Sequence, residues 1–113
     1  LLKGCGPLAT VFQWHGDTFD LPAGAIHLAQ SKLCRHQAFR HGPAAWGLQF
    51  HVEVRPEMVH SWLSAPEGRS EIASLGYIDP AEIIRRMAEA YARMEALGRV
   101  VLPRFAAICR DRA

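Results

Sequence analysis

A chain of 113 residues, half of them apolar, has room for one modest hydrophobic core and not for two. Its 13 basic and 11 acidic residues leave a formal charge of +2, with the arginines scattered rather than clustered among aromatics, so neither charge nor pattern calls for a nucleic-acid partner. Cys5, Cys34 and Cys109 are odd in number and form no C-x-x-C pair, which argues against a disulfide framework and for a reducing, cytoplasmic setting; none of the 113 residues reads as a signal peptide, and no apolar run nears the ~20 residues of a membrane span.

The chain opens on Leu1 rather than Met, as expected of a piece of a longer protein. Residues 1–9, with Gly4, Gly6 and Pro7, read as a loop. Gly4-Cys5-Gly6 echoes a nucleophile turn, but such an elbow needs a strand before it and a helix after it. Pro7 follows at once, so Cys5 is expected to be a linker or packing cysteine.

Thr10 to Trp14 is β-branched and aromatic, which predicts a short strand running into His15-Gly16-Asp17-Thr18-Phe19. A glycine among polar residues at a strand end suits a binding loop, because it lets backbone approach a ligand; a plain turn, with Asp17 bonded to its own backbone, is the alternative. Leu21-Pro22-Ala23-Gly24 predicts a turn, Ala25 to Ala29 a strand, and Leu33 to Arg40 contains another short strand after a polar corner. His41-Gly42-Pro43 then turns the chain, completing a local meander of short strands.

The last strand, Trp46-Gly47-Leu48-Gln49-Phe50-His51-Val52-Glu53, ends in two polar side chains two residues apart, which strand alternation puts on one face. A carboxylate there can hold one imidazole nitrogen of His51 and leave the other free as a general base. A solvated salt bridge at a strand end produces the same short pattern.

Beyond Glu53 the periodicity becomes helical. Pro56 suits a first turn, and Met58, Val59, Trp62 and Leu63 share a face until Pro66 and Gly68 interrupt; residues 66–76 read as loop with at most a helical turn. Asp79-Pro80-Ala81-Glu82 combines an N-cap, a first-turn proline and an acidic residue three along. Ile83, Ile84, Met87, Tyr91, Met94 and Leu97 line one face, opposite Arg85, Arg86, Glu89, Arg93 and Glu95, and Gly98 is expected to end the helix. Val100 to Cys109 predicts a final helix interrupted by Pro103, and Arg110-Asp111-Arg112 a solvated tail.

Taken together, Trp14-His15-Gly16-Asp17-Thr18-Phe19, Leu21-Pro22, Gln37-Ala38-Phe39-Arg40 and Gln49-Phe50-His51-Val52-Glu53 resemble class I (triad) glutamine amidotransferases, closest to the GMP-synthase-like group. The likeness covers residues 10–65 well and the C-terminal helices loosely. It implies an α/β, flavodoxin-like domain of which residues 1–113 are the C-terminal portion, strand-rich over 10–53 and helical over 56–110. It further implies release of ammonia from glutamine by a Cys-His-Glu triad through a γ-glutamyl thioester. His51 matches the family's base, Glu53 its orienting acid, and His15, Gly16 and Asp17 a segment near the glutamine pocket. No cofactor and no metal is implied; the partners implied are glutamine or a γ-glutamyl substrate and an acceptor-substrate synthetase domain or subunit.

This chain departs from the family in having Val52 where proline usually stands between His and Glu, and in lacking the family's cysteine elbow, so the 113 residues alone are expected to be inactive. Three other readings share the residues. One is a γ-glutamyl peptide hydrolase on the same scaffold, and another is a non-catalytic amidotransferase-like module. The third is a metal-dependent hydrolase with His15, Asp17, His51 and Glu53 as ligands.

Overall fold

The computed structural model describes residues 1–111; the expected tail position Arg112 lies outside them. Strands β1 (Ile26–Ala29), β2 (Ala38–His41) and β3 (Ala45–Leu48) precede helices α1 (Pro56–Ser64), α2 (Pro66–Leu75) and α3 (Pro80–Arg110), so the chain is α/β with short strands followed by helices, as its periodicities predict. The sheet is an antiparallel meander in the order β1-β2-β3, with His27 opposite Phe39 and Phe39 opposite Gly47. Gly42, at φ 60°, makes the tight β2–β3 turn. At Gly47 a Cβ would lie 2.2 Å from the Phe39 ring, so the missing side chain is what lets that ring cross the neighbouring strand.

Two strand expectations are shortened. Of residues 10–14 only Phe12 pairs, in an isolated antiparallel bridge to His51 closed by His51 N–H on Phe12 O at 2.9 Å and Phe12 N–H on His51 O at 3.4 Å. β3 stops at Leu48 instead of continuing to Glu53. After Gln49 N–H bonds Gln37 O at 2.9 Å the chain bends at Phe50 and His51 pairs with Phe12 instead of β2; a second bend follows at Val52–Glu53, where the Glu53 carboxylate accepts the Val52 N–H at 2.9 Å.

Two helical expectations are also corrected. Residues 66–75 form α2 rather than a loop, because Pro66 occupies the first helical turn, where its missing N–H has no role, and Gly76 closes the helix at φ 68°. Gly68 stands where α2 crosses the end of α1, and a Cβ there would sit 2.0 Å from the Trp62 carbonyl oxygen. α3 begins as read, with Asp79 Oδ1 accepting Ala81 N–H at 2.9 Å, but it continues through Gly98 and Pro103 to Arg110. Tertiary contacts on both sides of Pro103 hold the helix together there: Val101 is 1% exposed, Phe105 meets Trp46 edge to face at 6.4 Å, and Arg104 donates to Leu1 O at 2.9 Å and Lys3 O at 2.6 Å.

The core gathers Phe12, Val54, Val59, Leu63, Met87 and Met94, with Trp14, Trp62, Ile83, Ile84 and Tyr91 packed against it, so α1 and α3 share the segments that flank His51. Full burial of an aliphatic side chain such as Val59 contributes about 1.5–3 kcal/mol. On the outer face of α3, Glu82 pairs with Arg85 and Arg86, and hydrogen bonds from Arg85 first and Arg86 second hold its carboxyl down to about 2. Among the described residues no helix is long and apolar enough to cross a membrane.

Because the atom that a Cβ at position 68 would strike is backbone, Gly68→Ala should lower unfolding stability by about 1–3 kcal/mol. Exposed Ser70→Ala on the same helix should stay within about 0.5 kcal/mol of the parent. Equal urea midpoints for the two variants would contradict this helix crossing.

Candidate functional site

The chain brings His51 and Glu53 together through three local constraints. The Phe12 bridge fixes the backbone of His51, and buried Val52 and Val54 leave Glu53 on the open side between them. The carboxylate then spans both neighbours, Oε1 lying 2.7 Å from His51 Nδ1 and Oε2 accepting the Val52 N–H. A carboxylate only accepts hydrogen bonds, so in the neutral imidazole the proton sits on Nδ1 and Nε2 carries the lone pair. Among the described residues Nε2 has no hydrogen-bond partner.

The pair is half open, with side-chain exposures of 29% for His51 and 48% for Glu53. Partial burial is the largest single influence on the Glu53 carboxyl and pushes it up. The His51 hydrogen bond, the backbone N–H groups of Glu53 and Val52, and attraction to the imidazolium together outweigh it, so the group lies below its ordinary 4.5. The imidazole sits among aromatic rings, with centroids 5.6 Å from Trp62 and 6.1 Å from Phe12. His51, Trp14 and Trp62 line a shallow depression of about 340 Å³, with Glu71 at its edge accepting the Trp14 indole N–H at 3.1 Å.

The structure places His15, Gly16 and Asp17 on an exposed loop tied to the strand that leads to His51. His15 Nδ1 is 2.8 Å from Asp17 O and Nε2 is 2.9 Å from Gln13 Oε1, so the Asp17 carboxylate does not cap its own turn; its backbone carbonyl is what closes the loop. Gly16 has no left-handed backbone and a Cβ there would meet nothing, so the chain's own packing does not require glycine at this position.

Gln49, which the sequence offers only as part of a string, joins loop to strand. Its Nε2 bonds Asp17 O and lies 3.0 Å from His15 Nδ1, while its Oε1 accepts the Thr18 hydroxyl at 3.1 Å. Its place in Gln49-Phe50-His51 is the one signal that could have found it. Trp62 is legible in the sequence only as one position of an apolar helix face.

The three thiols lie in other surroundings. Cys34 Sγ lies 3.3 Å from Thr18 Oγ1 and 3.8 Å from Gln49 Oε1; Cys5 Sγ is 3.9 Å from an Arg104 nitrogen; Cys109 is exposed on α3. His15, Asp17, His51 and Glu53 do not converge as a ligand set, and among the described residues no group of three His, Cys, Asp or Glu side chains is gathered around a common metal position.

No family model matches the chain. Over 56 residues, 48% of its length, it is 46% identical to a glutamine-hydrolyzing GMP synthase subunit of Methanosarcina barkeri, and over as long a stretch 45% identical to the same subunit of Methanosarcina acetivorans. The matched stretch is 30% of each relative's length. A glutamine amidotransferase crystal structure from Thermotoga maritima matches with a TM-score of 0.73 at 36% identity, over 84% of this chain and 40% of that one. In fold and in sequence these residues are thus similar to part of a glutamine amidotransferase. Within that class the sequence likeness is to subunits of GMP synthase.

Two outcomes follow from this geometry. The folded Glu53 carboxyl lies below its unfolded value, so the pair's contribution to stability is complete above the ordinary carboxyl range and is lost as pH falls through the depressed value. Urea midpoints between about pH 3 and pH 6 should therefore fall less steeply with acid for Glu53→Gln than for the parent, and parallel curves would contradict the pairing. Gln49→Leu should raise backbone hydrogen exchange across residues 15–18 by roughly tenfold, the loss of about 1.4 kcal/mol of local restraint, while leaving α3 protected. Unchanged exchange in the loop would show that Gln49 does not hold it.

Proposed function

We propose that His51 and Glu53 are the base and the orienting acid of a glutamine amide hydrolysis whose thiol lies outside these 113 residues. The observation that carries this reading is the 2.7 Å contact between His51 Nδ1 and Glu53, which leaves Nε2 with its lone pair and no partner among the described residues. Nε2 takes the proton of the cysteine thiol, and the thiolate attacks the γ-carboxamide carbon. The imidazolium, steadied by Glu53, returns the proton to the departing nitrogen, so ammonia leaves and a γ-glutamyl thioester remains. Water, deprotonated by the same Nε2, attacks the thioester; glutamate and the thiol are released, and the sum is glutamine plus water to glutamate plus ammonia.

His15, Gly16 and Asp17, on the loop pinned by Gln49, are proposed to meet the amino-acid end of the substrate. The relatives named above are subunits of a glutamine-hydrolyzing GMP synthase, which supports pairing with an acceptor-substrate synthetase domain or subunit. One observation favours a second reading on the same chemistry: the depression beside His51, floored by Trp14 and Trp62, accommodates a leaving group larger than ammonia, as a γ-glutamyl hydrolase requires.

In the full-length protein His51→Ala should lower kcat by about 10²–10⁴-fold, the usual worth of a positioned general base. Glu53→Gln should lose less, because its amide still holds the ring without stabilising the imidazolium. Glutaminase and γ-glutamyl hydrolase assays of both variants test this, and wild-type turnover by His51→Ala would refute the assignment. Asp17→Asn should raise KM with kcat nearly unchanged, as expected of a contact made equally in ground and transition states. Collapse of kcat at constant KM would move Asp17 into the chemistry.

A further inference from the structure

Gly98 lies within α3, where glycine is less favourable than alanine by about 1 kcal/mol, and its backbone has no positive φ that would require it. What requires it is the bend. A Cβ on Gly98 would fall 2.4 Å from the Val52 carbonyl oxygen and 3.5 Å from the Val52 carbonyl carbon, and both are backbone atoms that no side-chain rotation can move aside. Val52 is the residue between His51 and Glu53, and its N–H holds one oxygen of the Glu53 carboxylate.

α3 is not free to retreat at this point. Met94 and Val101, one turn before and one turn after Gly98 on the same face, are 3% and 1% exposed, which locks the helix against the interior on both sides of the contact. A side chain at 98 therefore displaces the Val52 peptide and the two groups attached to it. Resting on the reading of His51 and Glu53 as base and orienting acid, we propose that Gly98 is a positioning residue for that pair: α3 is the shelf on which the Val52 peptide lies, and the bare glycine sets its height.

The test is made on full-length protein with labelled histidine and glutamate side chains, followed by NMR. In Gly98→Ala, His51 should lose its preference for the Nδ1-protonated tautomer, and the Glu53 carboxyl should titrate upward toward its ordinary 4.5, since the hydrogen bonds that lower it are stretched. Glutamine hydrolysis should fall on the order of 10²-fold, the effect of a misplacement near 1 Å. Met87→Ala, which opens the same helix's core contact without touching Val52, should lower stability and leave tautomer and titration as in the parent. Should Gly98→Ala fail to fold, Val52→Ala, which trims the buried side chain of the residue resting on Gly98 without adding an atom, should move both signals in the same direction.

Unchanged tautomer and Glu53 titration in either seat variant would overturn the proposal, as would an equal shift in Met87→Ala. The signals are read without turnover, so the two readings fail separately. If they move as expected while the parent hydrolyses neither glutamine nor a γ-glutamyl amide, the positioning role stands and the functional reading falls.

Discussion

The arrangement depends on one carboxylate with two simultaneous partners. Glu53 reaches back over a bend, one oxygen on His51 Nδ1 and the other on the Val52 N–H, and this double acceptance both fixes the bend and selects the imidazole tautomer. Neither consequence is available to an ordinary surface ion pair. Such a pair contributes little and holds little, because two long side chains must be ordered for a screened attraction. Here the two side chains are only two residues apart, and buried Val52 and Val54 fix the backbone from below. Restraint therefore comes from the fold, and the carboxylate only has to choose the orientation of one ring.

The residues that hold this pair are also residues of the core. Phe12 bridges His51 through its backbone and packs its ring into the α1–α3 core, and Trp62 of α1 faces His51 on one side and Trp14 at 5.7 Å on the other. A change at these aromatics disturbs packing and site together, and stability measurements alone cannot assign them a role. Gln49 differs in this respect. It restrains the 15–18 loop through side-chain hydrogen bonds from a half-buried position just past β3, so loop and core can be loosened separately.

Where residue pattern and structure agree, the signal is local. Asp79-Pro80 names its helix start because cap chemistry acts within one turn, and the β1 and β2 segments stand out because β-forming residues lie between turn formers. Where they disagree, a distant contact decides. Gly68 and Gly98 look like helix breakers in sequence; each is instead a close approach, to the Trp62 and Val52 carbonyls, which residue periodicity does not show, and the second lies 46 residues away. Pro103 looks like an interruption for the same reason, whereas Pro66 is a local first-turn proline. Strand alternation pairs His51 with Glu53 on a geometric ground that fails: the two side chains meet across a bend and not along one strand face. The residue types are right because the hydrogen-bond chemistry of imidazole and carboxylate survives either backbone. The thiol is not legible at all, since Cys5, Cys34 and Cys109 each have other surroundings.

The proposed chemistry stands or falls on whether His51, oriented by Glu53, activates a cysteine outside these 113 residues. Treating the full-length protein with 6-diazo-5-oxo-norleucine, a glutamine analogue that alkylates an activated thiolate, and mapping the adduct by mass spectrometry tests it most directly. The expected result is a single modified cysteine outside residues 1–113, with labelling that disappears in His51→Ala. Labelling of Cys5, Cys34 or Cys109 that depends on His51, or labelling indifferent to His51, would contradict it.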